Sequence, residues 1–269
     1  MSDLISKTLT PNTTDSLLRA FRQLGVTRGD TLLIHSSMSA LGWTIGGAQA
    51  IVQALLSAVG DTGTLMMPTH TPNNTDPSEW INPPIPREWW PLVREFTPAF
   101  DPIFTPSSSM GAVVETFRCG VGVCRSHHPT VSFAAHGPQA DFLTQHHELE
   151  SQLGEASPLA RLYDLDGKVL LLGVNHLNNT SLHLSEHRAN IPHFYSSQGS
   201  AMWVEGQRQW VTYSTLVLDS DDFDALGQAF ERDQPQHITI GSVGMGTARL
   251  MSQRTLVDYG VRWLEHHRV

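Results

Sequence analysis

The chain has 269 residues, with 17 Lys+Arg against 26 Asp+Glu for a formal net charge of −9, 14 histidines and only two cysteines. That length supports a sizeable core, and an acidic chain without a Lys/Arg run is a poor partner for nucleic acid. No apolar run reaches membrane-spanning length, the N-terminus lacks a secretory pattern, and Cys119 with Cys124 makes no disulfide framework, so a cytoplasmic protein is expected.

In chain order, Pro11 and the Thr13/Thr14/Asp15 group start a helix. Leu17, Leu18, Phe21 and Leu24 share its apolar face, and Gly25 ends it. Thr31–Ile34 reads as a buried strand, Gly47–Val59 as a helix and Thr64–Met67 as a second strand, a right-handed parallel unit. Residues 71–108 break the pattern: they are proline-rich, carry Trp80, Trp89, Trp90 and Phe96, and read as a long covering excursion. Ser109–Phe117 predicts a helix, Ser132–Ala135 a strand, and Lys168–Val174 the clearest buried strand. Met202–Tyr213 reads as a β-hairpin turning at Glu205-Gly206, and a helix from about Arg254 to His266 follows. The expected fold is one domain over 1–269: an α/β/α sandwich with a mixed, largely parallel central sheet and an antiparallel hairpin extension.

Two places stand out for chemistry, both beyond the carboxyl end of a predicted strand, where open α/β sheets bind ligands. The first is the turn from His35 through Ser36, Ser37, Ser39 and Leu41 to Gly42. Its hydroxyls, with backbone amides and the helix start near Gly46-Gly47, suit a phosphate-bearing ligand. An ordinary Ser/Gly connection has the same composition, and the segment matches neither common nucleotide-binding glycine pattern. The second is Asn178–His187. Thr180 or Asn179 there would cap a helix, placing His183 and Glu186 three apart on one face. An imidazole polarised by a carboxylate is a competent general base near neutral pH, although an exposed His–Glu pair has the same spacing.

The remaining histidines raise the question of a metal. His127-His128, His146-His147 and His266-His267 are adjacent pairs whose side chains diverge on regular structure. His183 and His187 stand four apart and suit shared ligation, but no H-E-x-x-H motif is present. His70 follows the second strand and is placed either in the same cleft or on a surface loop. Gly241–Gly246 reads as a glycine-rich turn. Arg118 and Arg125 flank the cysteine loop, as phosphate ligands or as solvated surface.

The ordered blocks His35-Ser-Ser-Met-Ser-Ala-Leu-Gly-Trp43, Gly46–Gln49 and Gly63–Thr69 continue through Met110–Arg118, Arg125–Pro129 and Ser132–Ala135. Gly154–Leu159 and Asn179–Glu186 complete them. Across nearly the whole chain the sequence resembles the aminoglycoside 3-N-acetyltransferase family, antibiotic acetyltransferases of non-GNAT fold that use acetyl-CoA. The resemblance implies direct acetyl transfer from acetyl-CoA to the 3-amino group of a 2-deoxystreptamine aminoglycoside, with no metal and no acetyl-enzyme. It implies His183 as general base, with Glu186 orienting it and helping to hold a cationic substrate. Loop amides or the Thr180 hydroxyl would stabilise the oxyanion. His35, Ser36, Ser37, Ser39, Leu41, Gly42, Ser109 and Arg125 are the implied acetyl-CoA contacts.

Two positions depart from the family pattern: Ser107–Ser109 replaces a frequent arginine, and His187 replaces a usual tyrosine. The partner expected is a small cationic amine, with no nucleic acid or membrane, and the chain a monomer or homodimer. An acetyltransferase for another small amine is the alternative, and a metal-dependent hydrolase a more distant one.

Overall fold

The computed structural model describes residues 2–268. Its first half comprises α1 (Ser2–Lys7), α2 (Thr14–Leu24), β1 (Thr31–Ser36), α3 (Gly47–Val59), β2 (Thr64–Pro68), α4 (Trp90–Phe96), α5 (Ala112–Arg118), β3 (Cys124–Arg125) and β4 (Phe133–His136). Then come α6 (Ala140–Thr144), α7 (Pro158–Asp164), β5 (Lys168–Leu172), α8 (Ser181–Arg188), β6 (Tyr195–Val204), β7 (Gln207–Leu216), α9 (Phe223–Asp233), β8 (Ile238–Val243), β9 (Gly246–Ser252) and α10 (Gln253–His267).

Seven strands form one sheet in the order β3-β4-β2-β1-β5-β9-β8, while β6 and β7 pair separately. β1 runs parallel to both β2 and β5, and every pairing farther out is antiparallel. The expected mixed sandwich and hairpin extension are therefore present, with parallel pairing confined to the three central strands. Those strands are apolar at consecutive positions because helices cover both faces. Leu32, Ile34, Leu65, Met67, Leu170 and Leu172 join Phe21, Ile51, Leu55 and Phe117 in one cluster. The alternate residues Leu33 and Met66 meet Leu159, Leu184 and Val257. Val169 and Leu171 meet Leu182, Phe223, Phe230 and Leu256.

Local signals held where they were strongest. Thr13 accepts from Ser16 N in a capping box, and Gly25 ends α2 at φ 105°. Glu205 and Gly206, both at positive φ, turn the hairpin, whose arms are longer than expected because Tyr195–Val204 and Gln207–Leu216 pair throughout. Other boundaries moved. The Ser109 helix begins only at Ala112, since Ser109 (φ 63°) and Gly111 (φ 86°) hold left-handed conformations that interrupt it. β5 ends at Leu172 because Gly173 turns at φ 69°. The Gly241–Gly246 run is the tip of the β8–β9 hairpin.

The 71–108 excursion lies on the β6–β7 hairpin. Phe100 N donates to Ala201 O at 2.8 Å and Ser200 Oγ to Asn74 O at 2.6 Å, and Arg208 reaches the carbonyls of Arg94 and Thr97. Among the described residues, no helix is long and apolar enough to cross a membrane.

Candidate active site

The carboxyl ends of the three parallel strands open into one cleft of about 230 Å³. β1 supplies His35 and Ser36, and β2 supplies Pro68 with His70 just beyond. Val174, Leu177, Asn178, Thr180 and His183 line it after β5, and Ser109, Met110 and Val114 close the opposite side. A larger hollow of about 470 Å³ adjoins it, lined by Thr71, Asn74, Asp101, Phe104 and Ser108 among others. The two share a wall where Ser108 N donates to His70 O at 2.9 Å.

α8 carries the His183–Glu186 pair. A 3-10 turn, His176–Asn178, redirects the chain after β5, and Thr180 enters α8 without a side-chain cap bond, contrary to the expected capping role. The turn is fixed from below: buried His176 Nε2 lies 3.0 Å from Glu231 Oε1, which also takes Arg249 Nε at 2.5 Å. In the first turn of α8, His183 Nδ1 stands 2.5 Å from Glu186 Oε2. His183 remains 18% exposed at the cleft while Glu186 is 3% exposed. The pair is therefore oriented so that the carboxylate holds Nδ1 and leaves Nε2 for a ligand.

Glu186 is also bonded on the side away from His183. Its Oε1 accepts from Arg268 Nη1 at 2.5 Å and from Asp219 N at 3.0 Å. Both oxygens thus have partners within the protein, an arrangement that holds the carboxylate in place behind the imidazole. Arg268 and the Asp219–Phe223 segment were not recognised from the sequence. They lie tens of residues from α8, and no local spacing links them to it. The Phe223 ring covers the imidazole, with centroids 4.8 Å apart.

Neutral imidazoles surround this dyad. Burial, then the nearby charge of His183, lowers the His35 pKa to about 3. Burial also lowers His70 to about 3, with His35 and His183 adding to the effect. His187 falls to about 4 for the same leading reason. Its ring lies against Gly154, where an added Cβ would stand 2.7 Å from Nδ1. His183 and His187 therefore serve different surroundings despite their helical spacing. Among the described residues, no three His, Cys, Asp or Glu side chains converge as metal ligands.

The expected acetyl-CoA contacts divide. His35, Ser36 and Ser109 line the cleft with Thr180 and His183. Ser37 and Ser39 lie outside that lining, their hydroxyls 3.3 Å apart. Leu41 is fully buried core, and its carbonyl accepts from Asn12 Nδ2 at 2.8 Å and Met245 N at 2.9 Å. Gly42 is buried beneath Met245. Both are structural because the loop folds onto the β8–β9 tip.

Arg125 is corrected in the same way. Nε donates to Thr69 Oγ1 and Ser132 Oγ at 3.1 and 3.0 Å, Nη1 to the carbonyls of Pro102 and Thr105 at 3.2 and 2.5 Å, and Nη2 to Thr69 O at 2.8 Å. At 7% exposure, this guanidinium ties the excursion to the sheet and is turned away from any phosphate. Arg118 is likewise engaged, with Glu115 and with Ile103 O.

The few acidic side chains of the excursion do not gather at the cleft. Asp76 pairs with Arg94, Asp101 Oδ1 accepts from Ile103 N and Phe104 N, and Glu79, Glu88 and Glu95 are exposed.

Comparison with known proteins supplies the remaining observation. Residues 33–265 match the family model described as aminoglycoside 3-N-acetyltransferase. The chain is 40% identical over 265 residues, 98% of its length and 96% of the relative's, to the SPbeta prophage-derived aminoglycoside N(3')-acetyltransferase-like protein YokD of Bacillus subtilis (strain 168). It is 33% identical to aminoglycoside N(3)-acetyltransferase VII of Streptomyces paromomycinus, covering 97% of this chain and 94% of that one.

The crystal structure of YokD from Bacillus subtilis superposes with a TM-score of 0.96 at 38% identity, covering 99% of this chain and 98% of that chain. AAC-IIIb in binary complex with CoASH gives 0.86 at 28% identity, covering 96% and 98%. AAC-VIa bound to sisomicin gives 0.87 at 30% identity, covering 97% and 100%.

Proposed function

The chain belongs to the aminoglycoside 3-N-acetyltransferase family and is an N-acetyltransferase, and from that premise we propose that it moves an acetyl group from acetyl-CoA to the 3-amino group of a 2-deoxystreptamine aminoglycoside. One observation carries the reading: a buried carboxylate orients an imidazole whose other nitrogen is left for the cleft at the ends of the parallel strands. The CoASH-bound and sisomicin-bound neighbours support the choice of donor and acceptor.

An ammonium has no lone pair, so it must lose a proton before attacking a carbonyl carbon. In our reading His183 Nε2 accepts that proton, and Glu186 stabilises the imidazolium through Nδ1–H. The thioester supplies the electrophilic carbonyl. The amine nitrogen forms the new C–N bond and gives up a second proton to solvent, the C–S bond breaks, and the thiolate leaves with the proton returned by His183, so each turnover yields amide, free thiol and one released proton. The Thr180 hydroxyl, beside His183 in the cleft, donates to the developing oxyanion. The narrow, mixed polar and apolar wall of His35, Ser36, Met110, Val114 and Val174 suits a pantetheine arm. The Ser37 and Ser39 hydroxyls sit where the loop leaves that wall.

A second reading keeps the donor and the base but changes the acceptor to another small amine. It is favoured by the absence of any carboxylate among the residues lining the His183 cleft, since a polycation is bound best where negative charge is concentrated.

Thiol release from acetyl-CoA, measured with aminoglycosides and simple amines, separates the two acceptors. His183→Ala is expected to lower turnover by roughly 10²–10⁴-fold, and near-normal turnover in that variant removes His183 as the base. A wild-type protein inactive on every 2-deoxystreptamine compound but active on another amine leaves the second reading.

A further inference from the structure

We infer that Arg268, beyond the last helix, is a positioning residue for acetyl transfer: it locks the Glu186 carboxylate and the Asp219–Phe223 segment together, and so aims the His183 imidazole. The inference rests on His183 being the base.

The geometry is that of a clamp. Nη1 donates to Glu186 Oε1 at 2.5 Å, while Nε and Nη2 grip Asp222 Oδ2 and Oδ1 at 2.8 and 2.5 Å. Nη2 also reaches Asp219 O at 2.6 Å, and Asp219 N returns a bond to Glu186 Oε1 at 3.0 Å. One planar guanidinium thus bridges two carboxylates and a backbone carbonyl, a task its fixed donor fork suits and a single ammonium does not. With Oε1 held twice, the carboxylate cannot rotate, and Oε2 stays on His183 Nδ1. The residue after Asp222, Phe223, packs against the imidazole with its ring tilted by 55°, and its ring centroid is 6.0 Å from the guanidinium carbon. The back of the imidazole is therefore fixed through both its hydrogen bond and its ring face.

Charge favours the same role. Glu186 and Asp222 bring two negative charges and Arg268 one positive charge, so the three sum to −1. A proton taken by His183 brings this cluster to neutrality. Without Arg268, two carboxylates, one of them buried, would face each other unbridged.

The test compares Arg268→Ala, Arg268→Lys, Asp222→Asn and His183→Ala, using acetyl-CoA and an amine that the wild type acetylates, with thermal melting of each. Arg268→Ala should lower kcat by about 10–100-fold, because small misplacements of a reacting group cost this much, while KM for acetyl-CoA stays within about 2-fold. Arg268→Lys should recover part of the loss, and Asp222→Asn, which keeps the Arg268–Glu186 contact, should lose less than Arg268→Ala. Wild-type kcat in a folded Arg268→Ala overturns the inference, as does a loss shared equally by Lys and Ala. If Arg268→Ala does not fold, unchanged kcat in both folded Lys and Asn variants overturns it instead. Collapse of His183→Ala with unchanged Arg268 variants removes only the role of Arg268, whereas an active His183→Ala removes the underlying base reading.

Discussion

Gly227, inside α9, is in contact with the face of the His176 ring: a β-carbon there would stand 1.9 Å from His176 Cγ and 2.2 Å from Cδ2. This ring begins the 3-10 turn that leads to Thr180 and α8. α9 thereby packs closely against the turn that precedes the site helix.

Glycine to alanine in a helix interior ordinarily gains about 1 kcal/mol. At Gly227 the sign should reverse, because His176 is 1% exposed and its Nε2 is held by Glu231. Gly227→Ala is expected to lose about 1–3 kcal/mol through overpacking, read from the denaturant midpoint. An unchanged or raised midpoint would show that the ring moves aside freely.

Thr180→Val tests the oxyanion donor with little change of shape. The hydroxyl makes no cap bond to α8, so melting should stay near wild type. Turnover should fall by roughly 10–10²-fold, the lower part of the range for loss of such a donor. Full activity in the valine variant assigns oxyanion stabilisation to backbone amides instead.

Arg125→Lys separates a structural cation from a phosphate ligand. Lysine cannot reproduce the bonds to Thr69, Ser132, Pro102 and Thr105, and stability should drop by roughly 1–3 kcal/mol from buried acceptors left unpaired. KM for acetyl-CoA should not rise. A raised KM with unchanged melting would restore the phosphate role.

The histidine content predicts an acid limb of stability. Burial lowers His35 and His70 to about 3 and His128 and His187 to about 4, from 6.5 in the unfolded chain. The unfolded state therefore binds more protons below pH 6.5. The contribution is fully present above that pH and is lost as pH falls towards the folded values. Each histidine costs up to ~1.4 kcal/mol per pH unit within this window. Melting temperature measured from pH 7.5 to 4.5 should fall steeply below about 6.5, and a flat profile from 7 to 5 would contradict the burial of these rings.

Histidine shows how far one-dimensional reasoning reached. The adjacent pairs were expected to diverge, and two of the three do: His128 and His147 are buried, with ring centroids 4.6 Å apart, while His127 and His146 are exposed; the exposed His266 and His267 rings instead meet edge to face, centroids 4.9 Å apart. His128 Nδ1 accepts from Thr130 N and Val131 N, and His147 lies between Ser126 and Gln152. Much of the unusual histidine content is polar structure inside the fold, which a count of residues does not distinguish from ligands.

The sequence by itself determined the features that depend on near neighbours. The amphipathic spacing and capping of α2, the doubly apolar β1 and β5, the Glu205-Gly206 turn and the i,i+3 placement of His183 and Glu186 all follow from residues a few positions apart. Backbone geometry at those distances is nearly invariant. Only the tertiary structure decided which way each polar group is used. Glu186 and Arg268 meet across 82 positions, Arg125 is turned inward by an excursion without periodicity, and Leu41 and Gly42 are buried by a hairpin more than 200 residues later. Those outcomes depend on how helices and loops dock on the sheet, and a directional hydrogen bond made across a long stretch of chain leaves no periodic trace along it.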